Sequence, residues 1–354
     1  MNPWLSRALY LIQSDVKRSS DTHLIKVELP ALKKISLYLK DESTHPTGSL
    51  KHRLARSLFL YGLCNGQIKE GTTIVESSSG NTAVSEAYFA QLLGLPFIAV
   101  IPEGTSQEKI DHISFYNGEC RCVDSSAIYS EAARIAEELD GHYMDQFTYA
   151  ERATDWRGNN NIAESIYEQM SFESPAIPNW IVCSAGTGGT SATIGRYIRY
   201  RSHATQLCVA DPAGSVFYDY FMTGDKTLVS DRSCRVEGIG RPRVEPSFNR
   251  SIVDRMIQVP DEATFGTLRF LTELLNRRCG GSTGTNLYAA FQIIAELAKR
   301  EEPATVVSMI CDGGERYLDT YHNEQWLTDH HFNIQPYVDQ LEHFFQTGQW
   351  PELA

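Results

Sequence analysis

Short apolar runs alternate with helical patterns of apolar positions through most of the chain. Between residues 50 and 140 the spacing predicts four helices separated by three apolar strands. The helices are expected at 51–65, 82–93, 106–116 and 129–139, and the strands at 72–76, 96–101 and 119–123. Strands that are apolar along their whole length are typical of parallel sheets covered on both faces. The pattern therefore predicts an α/β fold.

The alternation resumes after a polar stretch, residues 145–161. Strands are predicted at 180–183, 206–210 and 305–311, and helices at 191–200, 262–277 and 286–299. Residues 217–250 are rich in Gly, Pro and Arg and are predicted to be irregular. The economical interpretation is two α/β lobes with a cleft between them. Val338, Leu341 and Phe345 in the aromatic segment 322–354 favour an amphipathic helix that packs on the body or on a second subunit.

Composition narrows the possible partners. The 354 residues are 42% hydrophobic and 21% charged, with a formal net charge of -12. That charge argues against nucleic acid or an anionic membrane as the main partner, although a local phosphate pocket stays possible. The first residues lack a charged segment followed by an apolar one, and no apolar run approaches a membrane span. We therefore expect a cytoplasmic protein.

Cysteine and histidine spacing does not predict a metal site. The eight cysteines are scattered, and the closest pair, Cys120 and Cys122, has no neighbouring partner set. The cysteines are expected to be small buried side chains in a reducing compartment.

A lysine at a loop-to-helix junction is the first candidate for chemistry. Lys51 lies in the stretch Ser-Thr-His-Pro-Thr-Gly-Ser-Leu-Lys-His-Arg, residues 43–53, after an extended segment and before a helical pattern. The positive end of a helix dipole disfavours an ammonium ion, which favours a neutral amine that can attack an aldehyde. Such a lysine could hold pyridoxal phosphate as a Schiff base. A solvated surface lysine is the alternative.

Two loops between a strand and a helix, and a third loop ahead of a helix, are candidate binding segments. The turn from Gly186 to Thr190, Gly-Thr-Gly-Gly-Thr, offers backbone N–H groups to a phosphate, although a structural turn would have a similar sequence. The Ser-Ser-Ser-Gly-Asn-Thr run at 77–82 suits a carboxylate, while a helix cap at Ser79 or Asn81 would explain only part of it. The third is Cys-Gly-Gly-Ser-Thr-Gly at 279–284, and Asp-Gly-Gly-Glu-Arg-Tyr at 312–317 follows the last strand.

Together these motifs, in this order, resemble the fold type II, or β-family, pyridoxal-phosphate enzymes, which include cysteine synthase and cystathionine β-synthase. The resemblance covers about residues 20–320. It implies a two-lobed fold like that of the tryptophan synthase β subunit, with parallel-rich sheets covered by helices. It also implies a larger cofactor-phosphate domain, 1–39 and 148–354, a smaller substrate-carboxylate domain, 40–147, and a homodimer.

The resemblance assigns site residues position by position. Lys51 matches the Schiff-base lysine and is the implied general base, and Ser282 matches the serine at the pyridine nitrogen. Asn81 matches the asparagine that contacts the cofactor ring, and Gly186, Thr187, Gly188, Gly189 and Thr190 match the 5′-phosphate loop. The implied substrate-binding residues are Ser78, Ser79, Thr82, Gln146 and Gly238. A neutral serine at the ring nitrogen makes the ring a weaker electron sink than an aspartate would, which favours β-elimination and β-replacement over transamination.

Departures from the sulfhydrylase pattern point to one branch of the family. His45 and His52 flank the lysine motif, and Arg241 and Arg243 follow the Gly238–Gly240 segment that the resemblance places at the active-site entrance. These features look most like the bacterial L-cysteine desulfhydrase branch, which implies elimination of sulfide from cysteine. Cysteine synthase, acting on O-acetylserine and sulfide, is the alternative. Arg241 or Arg243 could alter thiol handling, or both could form a surface ion-pair cluster with Glu237 and Glu245.

Overall fold

A computed structural model of the protein describes residues 2–18, 21–300 and 302–353. The helices are α1 (Pro3–Lys17), α2 (Lys51–Cys64), α3 (Asn81–Leu93), α4 (Gln107–Phe115), α5 (Ile128–Glu138), α6 (Gln146–Ala153), α7 (Ile162–Met170), α8 (Gly189–Tyr200), α9 (Phe217–Thr223), α10 (Asp261–Leu275), α11 (Gly281–Ala298), α12 (Glu324–Asp329) and α13 (Gln335–Thr347). The strands are β1 (His23–Val27), β2 (Ile35–Asp41), β3 (Ile74–Glu76), β4 (Phe97–Pro102), β5 (Glu119–Val123), β6 (His142–Tyr143), β7 (Trp180–Ser184), β8 (Gln206–Pro212), β9 (Arg255–Val259) and β10 (Ala304–Ile310).

The chain forms two compact units, each made of two separate segments. Unit 1 consists of Met1–Asp21 and His45–Asp155, and unit 2 of Thr22–Thr44 and Trp156–Ala354. Each unit has its own sheet and its own apolar core. The predicted α/β fold with parallel-rich sheets is confirmed.

Unit 1 is built on a four-stranded parallel sheet in the order β5-β4-β3-β6. Leu58, Phe59 and Leu63 of α2 pack with α3 in its core. The second face of the sheet is covered by α5 through Ala132 and Ile135. Burial on both faces explains why the central strands β3 and β4 lack polar alternation, whereas the edge strand β5 is largely exposed.

The first helix belongs to unit 1, whereas the sequence placed residues 1–39 with the larger domain. Ala8 and Ile12 of α1 are buried in the same cluster as Leu58 and Phe59. These apolar contacts draw the helix to unit 1, although β1, which follows it, pairs in the sheet of unit 2.

Unit 2 contains a six-stranded sheet in the order β1-β2-β10-β7-β8-β9. All neighbouring strands run parallel except β1, which is antiparallel to β2. Helix α11 is buried along nearly its whole length and packs with α10 on this sheet. The carboxyl ends of β7 and β10 lead into the Gly186 turn and the Asp312 segment respectively.

The C-terminal segment packs on the body of unit 2, as one of the two predicted arrangements requires. Val338, Leu341 and Phe344 of α13 are buried, while Phe345 is half-buried. They join the cluster formed by α10 and α11. Among the described residues, no helix combines the length and apolar character needed to cross a bilayer.

Some segments differ from the sequence prediction. The polar stretch 145–161 contains α6, and the irregular region 217–250 begins with α9. Helix α11 starts at Gly281, five residues before the predicted start at Asn286. All eight cysteines are free thiols; Cys183, Cys208, Cys279 and Cys311 are buried as expected, whereas Cys64 and Cys122 are exposed.

Candidate active site

Lys51 is the first residue of α2, so its predicted place at a loop-to-helix junction is confirmed. Its backbone N–H donates to Ser49 Oγ over 3.3 Å, and Leu50 at the N-cap offers no side-chain cap. Gly48 reverses the chain before the helix with a φ of +73° and donates to the His45 carbonyl. This left-handed backbone conformation would be strained for a residue with a side chain, which explains the glycine in the motif.

A buried polar network adjoins Lys51 in sequence. The His52 ring lies 3.2 Å from Thr47 Oγ1 through Nδ1 and 3.6 Å from Asp15 through Nε2. Thr47 also contacts Ser85 Oγ at 2.9 Å, and Tyr88 donates to Asp15 at 2.6 Å. Burial lowers the pKa of His52 to about 4, against the opposing effect of Asp15. A neutral imidazole therefore fixes the loop that carries Lys51 to α1 and α3.

The Ser77–Thr82 loop joins β3 to α3, as predicted, and Asn81 is the first residue of α3. The N-cap is Gly80, which forms no side-chain cap, so capping by Ser79 or Asn81 does not account for the run. Ser78 Oγ accepts the Gly80 N–H at 3.3 Å. The helix start and its hydroxyls thus have the composition that suits an anion.

The structure brings Gln146 to this loop. Thr82 Oγ1 donates to Gln146 Oε1 over 2.8 Å, and both side chains are buried. The Gln146 N–H donates to Glu76 Oε2 over 3.1 Å. Two residues 64 positions apart that the resemblance assigned to one carboxylate site are therefore direct neighbours.

The Gly186–Thr190 turn lies in unit 2, where β7 ends and α8 begins. Gly188 is the N-cap, with a φ of +84°, and no acidic residue lies in the first turn of α8. The Gly189 N–H points to Thr187 Oγ1 at 3.3 Å. The turn presents the positive end of a twelve-residue helix without a competing carboxylate.

Backbone from two other segments closes around this turn. A methyl group at Gly186 would collide with the Gly238 carbonyl, and one at Gly188 would lie 2.9 Å from the Ser247 carbonyl. Ser247 Oγ donates to the Thr187 carbonyl. Gly238, assigned to the entrance segment, is therefore a backbone neighbour of the predicted phosphate loop.

Ser282 is buried in the first turn of α11. Within residues 2–18, 21–300 and 302–353 its hydroxyl has no hydrogen-bond partner, so it is available to a ligand. The adjacent Thr283 hydroxyl accepts the Cys311 N–H at 3.2 Å, and Gly280 N–H donates to the Asp312 carbonyl at 3.1 Å. These bonds fix the helix start to the end of β10.

Arg241 and Arg243 share one buried carboxylate. Their Nε atoms lie 2.8 Å and 3.3 Å from Glu245 Oε1, and Glu245 is 1% exposed. This geometry agrees with the ion-pair alternative for Glu245, and it leaves a role in thiol handling as an untested hypothesis. Among the described residues, no group of three or more His, Cys, Asp or Glu side chains could hold a metal ion.

These residues fit the donor set that pyridoxal phosphate requires: an amine at Lys51, an uncapped helix start for the phosphate, and an available hydroxyl at Ser282. The family model described as pyridoxal-phosphate dependent enzyme matches residues 19–312. The chain belongs to that family, and its cofactor is pyridoxal phosphate.

The comparisons with individual proteins are more specific. The chain is 59% identical to the L-cysteine desulfhydrase Cds1 of Mycobacterium tuberculosis, over 92% of this chain and 90% of the relative. A putative cysteine synthase of Sinorhizobium fredii is 29% identical over 86% and 89% of the two chains. The crystal structure of O-ureido-L-serine synthase matches with a TM-score of 0.74 and 25% identity, covering 87% of this chain and 93% of that one.

Proposed function

We propose that the protein is an L-cysteine desulfhydrase that converts L-cysteine and water to sulfide, pyruvate and ammonia by β-elimination. The observation that carries this proposal is the 59% identity to the mycobacterial L-cysteine desulfhydrase, which extends over nearly the whole of both chains. The lysine, glycine-rich and serine motifs are all intact.

Each residue has a proposed role. Lys51 would hold the cofactor covalently, and its amine would remove the proton from the substrate Cα as general base. Gly186, Thr187, Gly188, Gly189 and Thr190 bind the phosphate, while Asn81 and Ser282 orient the ring. Ser78, Ser79, Thr82 and Gln146 bind the substrate carboxylate. Pyridoxal phosphate, when bound, supplies the electron sink for the charge left at Cα.

The uncharged hydroxyl of Ser282 favours elimination. A carboxylate at this position would stabilise a proton on the pyridine nitrogen, whereas a hydroxyl does not. Beside this hydroxyl the bound cofactor would be a weaker electron sink, which favours prompt loss of the β-thiolate over transamination.

The direct test is to incubate the purified holoenzyme with L-cysteine and measure sulfide and pyruvate together. We expect equal amounts of both products. The Lys51→Ala variant should lose about 10²- to 10⁴-fold in rate, the range typical of a missing general base. Lys69→Ala, in an exposed loop, is the matched control and should retain activity. Absence of pyruvate with the wild type would refute the proposal.

Cysteine synthase is the second candidate, because the Sinorhizobium relative carries that name at 29% identity. It predicts cysteine formation from O-acetylserine plus sulfide at a higher kcat/KM than pyruvate formation from cysteine. Measuring both reactions on one preparation decides between them. The homodimer and the cytoplasmic location stay predictions from the sequence.

A further inference from the structure

Two fully buried glutamates lie beneath the substrate loop of unit 1. Glu76 ends β3, and Glu86 lies in α3, one turn after Thr82. Neither side chain has measurable exposure. A buried carboxylate without compensation is costly, so each group must be paired or protonated.

Three hydrogen bonds favour the anionic form of Glu76, whereas burial raises its pKa to about 7. Its Oε1 accepts the Ser77 N–H at 2.6 Å and the Ser77 hydroxyl at 3.1 Å, and its Oε2 accepts the Gln146 N–H at 3.1 Å. One carboxylate thus joins the first residue of the substrate loop to the first residue of α6. Thr82, at the other end of the loop, donates to the Gln146 side chain. Hydrogen bonds therefore connect both ends of the loop to Gln146, one directly and one through Glu76.

Glu86 has no such donors. Among the described residues, neither of its oxygens accepts a hydrogen bond, and its polar neighbour is the Glu76 carboxyl. Two carboxylates cannot hydrogen-bond to each other unless one of them carries a proton. Burial and the charge of Glu76 both raise the pKa of Glu86.

The other titratable groups near the pair, Asp145 and Tyr143, interact electrostatically with Glu76. Asp145, which precedes α6, raises the pKa of Glu76 by its charge, as burial does more strongly. Tyr143 of β6 contacts Ser77 Oγ at 2.7 Å, and its own pKa is raised by burial and by Glu76. Glu76 is the titratable group whose charge acts on Glu86.

We propose that Glu86 is protonated and donates to Glu76, and that this carboxyl pair positions the Ser77–Thr82 loop and Gln146 for the substrate carboxylate. Glu86 is a positioning residue that acts through Glu76. Loss of its proton places a second negative charge beneath a loop that must accept an anion, so substrate binding weakens at alkaline pH. The substrate part of this inference rests on the proposed function; the shared proton does not.

Glu86→Gln is the diagnostic variant, because an amide keeps a donor for Glu76 and cannot ionise. With the holoenzyme and cysteine, we expect KM and kcat at about neutral pH to stay within about threefold of wild type. The alkaline decline of kcat/KM should be weaker than in wild type. Titrations of cysteine itself are common to both enzymes, so the difference between the two profiles isolates Glu86.

Glu86→Leu removes both the proton and the donor. Glu76 then lacks its partner, and KM should rise about tenfold while kcat changes little. Recovery of a near-normal KM in Glu86→Gln distinguishes positioning from simple packing. Equal KM values in wild type, Gln and Leu variants would overturn the positioning role.

The pH dependence of stability tests the shared proton without an activity assay. The folded state keeps the Glu86 proton above the ordinary glutamate pKa, so it binds more protons than the unfolded state and loses stability as pH rises. The Tm of the cofactor-free protein should fall less between about pH 6 and pH 9 in Glu86→Gln than in wild type. Glu108→Gln, on the exposed surface of α4, is the control and should follow wild type.

The two measurements separate the possible failures. An unchanged slope of Tm against pH in Glu86→Gln overturns the shared proton whatever the enzyme does. A changed slope in a protein inactive toward cysteine leaves the carboxyl pair standing and refutes the proposed function. If Glu86→Gln does not fold, the same slope comparison applies to Glu86→Leu, which also lacks the titrating group.

Discussion

Gly188 shows how one residue fixes the geometry of a binding turn. It adopts the left-handed region and lies against the Ser247 carbonyl and the Phe248 backbone. A side chain there would meet both a conformational cost and a steric one. Gly66 also has a positive φ, of +72°, but faces open space. Comparing Gly188 with Gly66 therefore separates the cost of a left-handed backbone from the cost of steric overlap with neighbouring atoms.

Gly188→Ala should weaken the binding of pyridoxal phosphate. It should also lower the free energy of unfolding by more than the cost of the left-handed backbone, because the added methyl group overlaps neighbouring atoms. Gly66→Ala should cost only the conformational part, about 1–2 kcal/mol, and leave cofactor affinity unchanged. Urea unfolding and titration of the cofactor-free protein with pyridoxal phosphate measure the two effects. Equal effects of the two variants on both quantities would contradict the role assigned to the turn.

His52 makes the stability of unit 1 sensitive to acid. Its pKa is about 4 in the folded protein against 6.5 for an ordinary histidine, so between these values the unfolded state binds more protons. Stability is fully present above about pH 6.5 and is lost as pH falls toward about 4, by about 3 kcal/mol.

The His52→Gln variant should lose less stability over that acidic range, which urea unfolding at several pH values will show. Glutamine keeps polar contacts to Thr47 and Asp15 but does not titrate. His112→Gln, on α4 of the same unit, is the matched control and should keep the wild-type acid dependence. A steeper acid loss in His52→Gln would contradict a neutral buried imidazole.

At the scale of elements, apolar periodicity predicted most helices and strands but not the polar helix α6 or the small-residue start of α11. Helix α11 begins with Gly-Ser-Thr-Gly, which has no apolar period. Its early start depends on close packing, since a methyl group at Gly281 would lie 2.9 Å from Val236 and one at Gly284 would collide with the Thr264 carbonyl. Such contacts come from distant segments and leave no local signal.

For the same reason, sequence motifs indicated some residues of the candidate site but not the buried residues that support them. Lys51, the Gly186 turn and Ser282 stand in compact motifs at the starts of helices, where a sequence pattern indicates the chemistry. The partners Asp15 and Glu86 carry no motif. Asp15 comes from α1, and only the folded chain brings it to His52.

Helix α13 completes the core of unit 2. Phe344 is 1% exposed and lies edge-on to Trp350, with ring centroids 5.1 Å apart. The helical pattern predicted an apolar face with Val338 and Leu341, although it included Phe345 rather than the more deeply buried Phe344. The buried ring indicates that the segment stabilises the unit.

Phe344→Ala should lower the free energy of unfolding by about 3–5 kcal/mol, because it removes a buried aromatic ring and leaves a cavity. Glu342→Ala, two residues away on the exposed face of the same helix, should change it by less than about 0.5 kcal/mol. Thermal unfolding monitored by circular dichroism gives both values. A Phe344→Ala protein with wild-type Tm would mean that the segment is not part of the core.

At the scale of the whole molecule, net charge and local potential oppose each other. The chain carries a formal charge of -12, which repels a phosphorylated cofactor at long range. The start of α8 attracts phosphate, but only over the length of a helical turn. Salt screens the long-range repulsion far more than the short-range attraction.

Association of pyridoxal phosphate with the cofactor-free protein should therefore quicken as ionic strength rises from about 0.01 M to about 0.15 M. Stopped-flow absorbance measures the rate, and pyridoxal, which lacks the phosphate, is the control with little salt dependence. A rate for pyridoxal phosphate that falls with salt would mean that the local field near the turn dominates the approach.

The strand order of unit 2 has a consequence for synthesis. Strand β2 ends at Asp41, yet one of its two neighbours is β10, which ends at Ile310. During translation, the edge of β2 that pairs with β10 stays uncovered until almost the whole chain has been synthesised. An uncovered apolar edge invites pairing with other chains. The nascent protein therefore passes most of its translation with this edge unprotected, and its yield in cells should depend on chaperones that bind extended apolar segments.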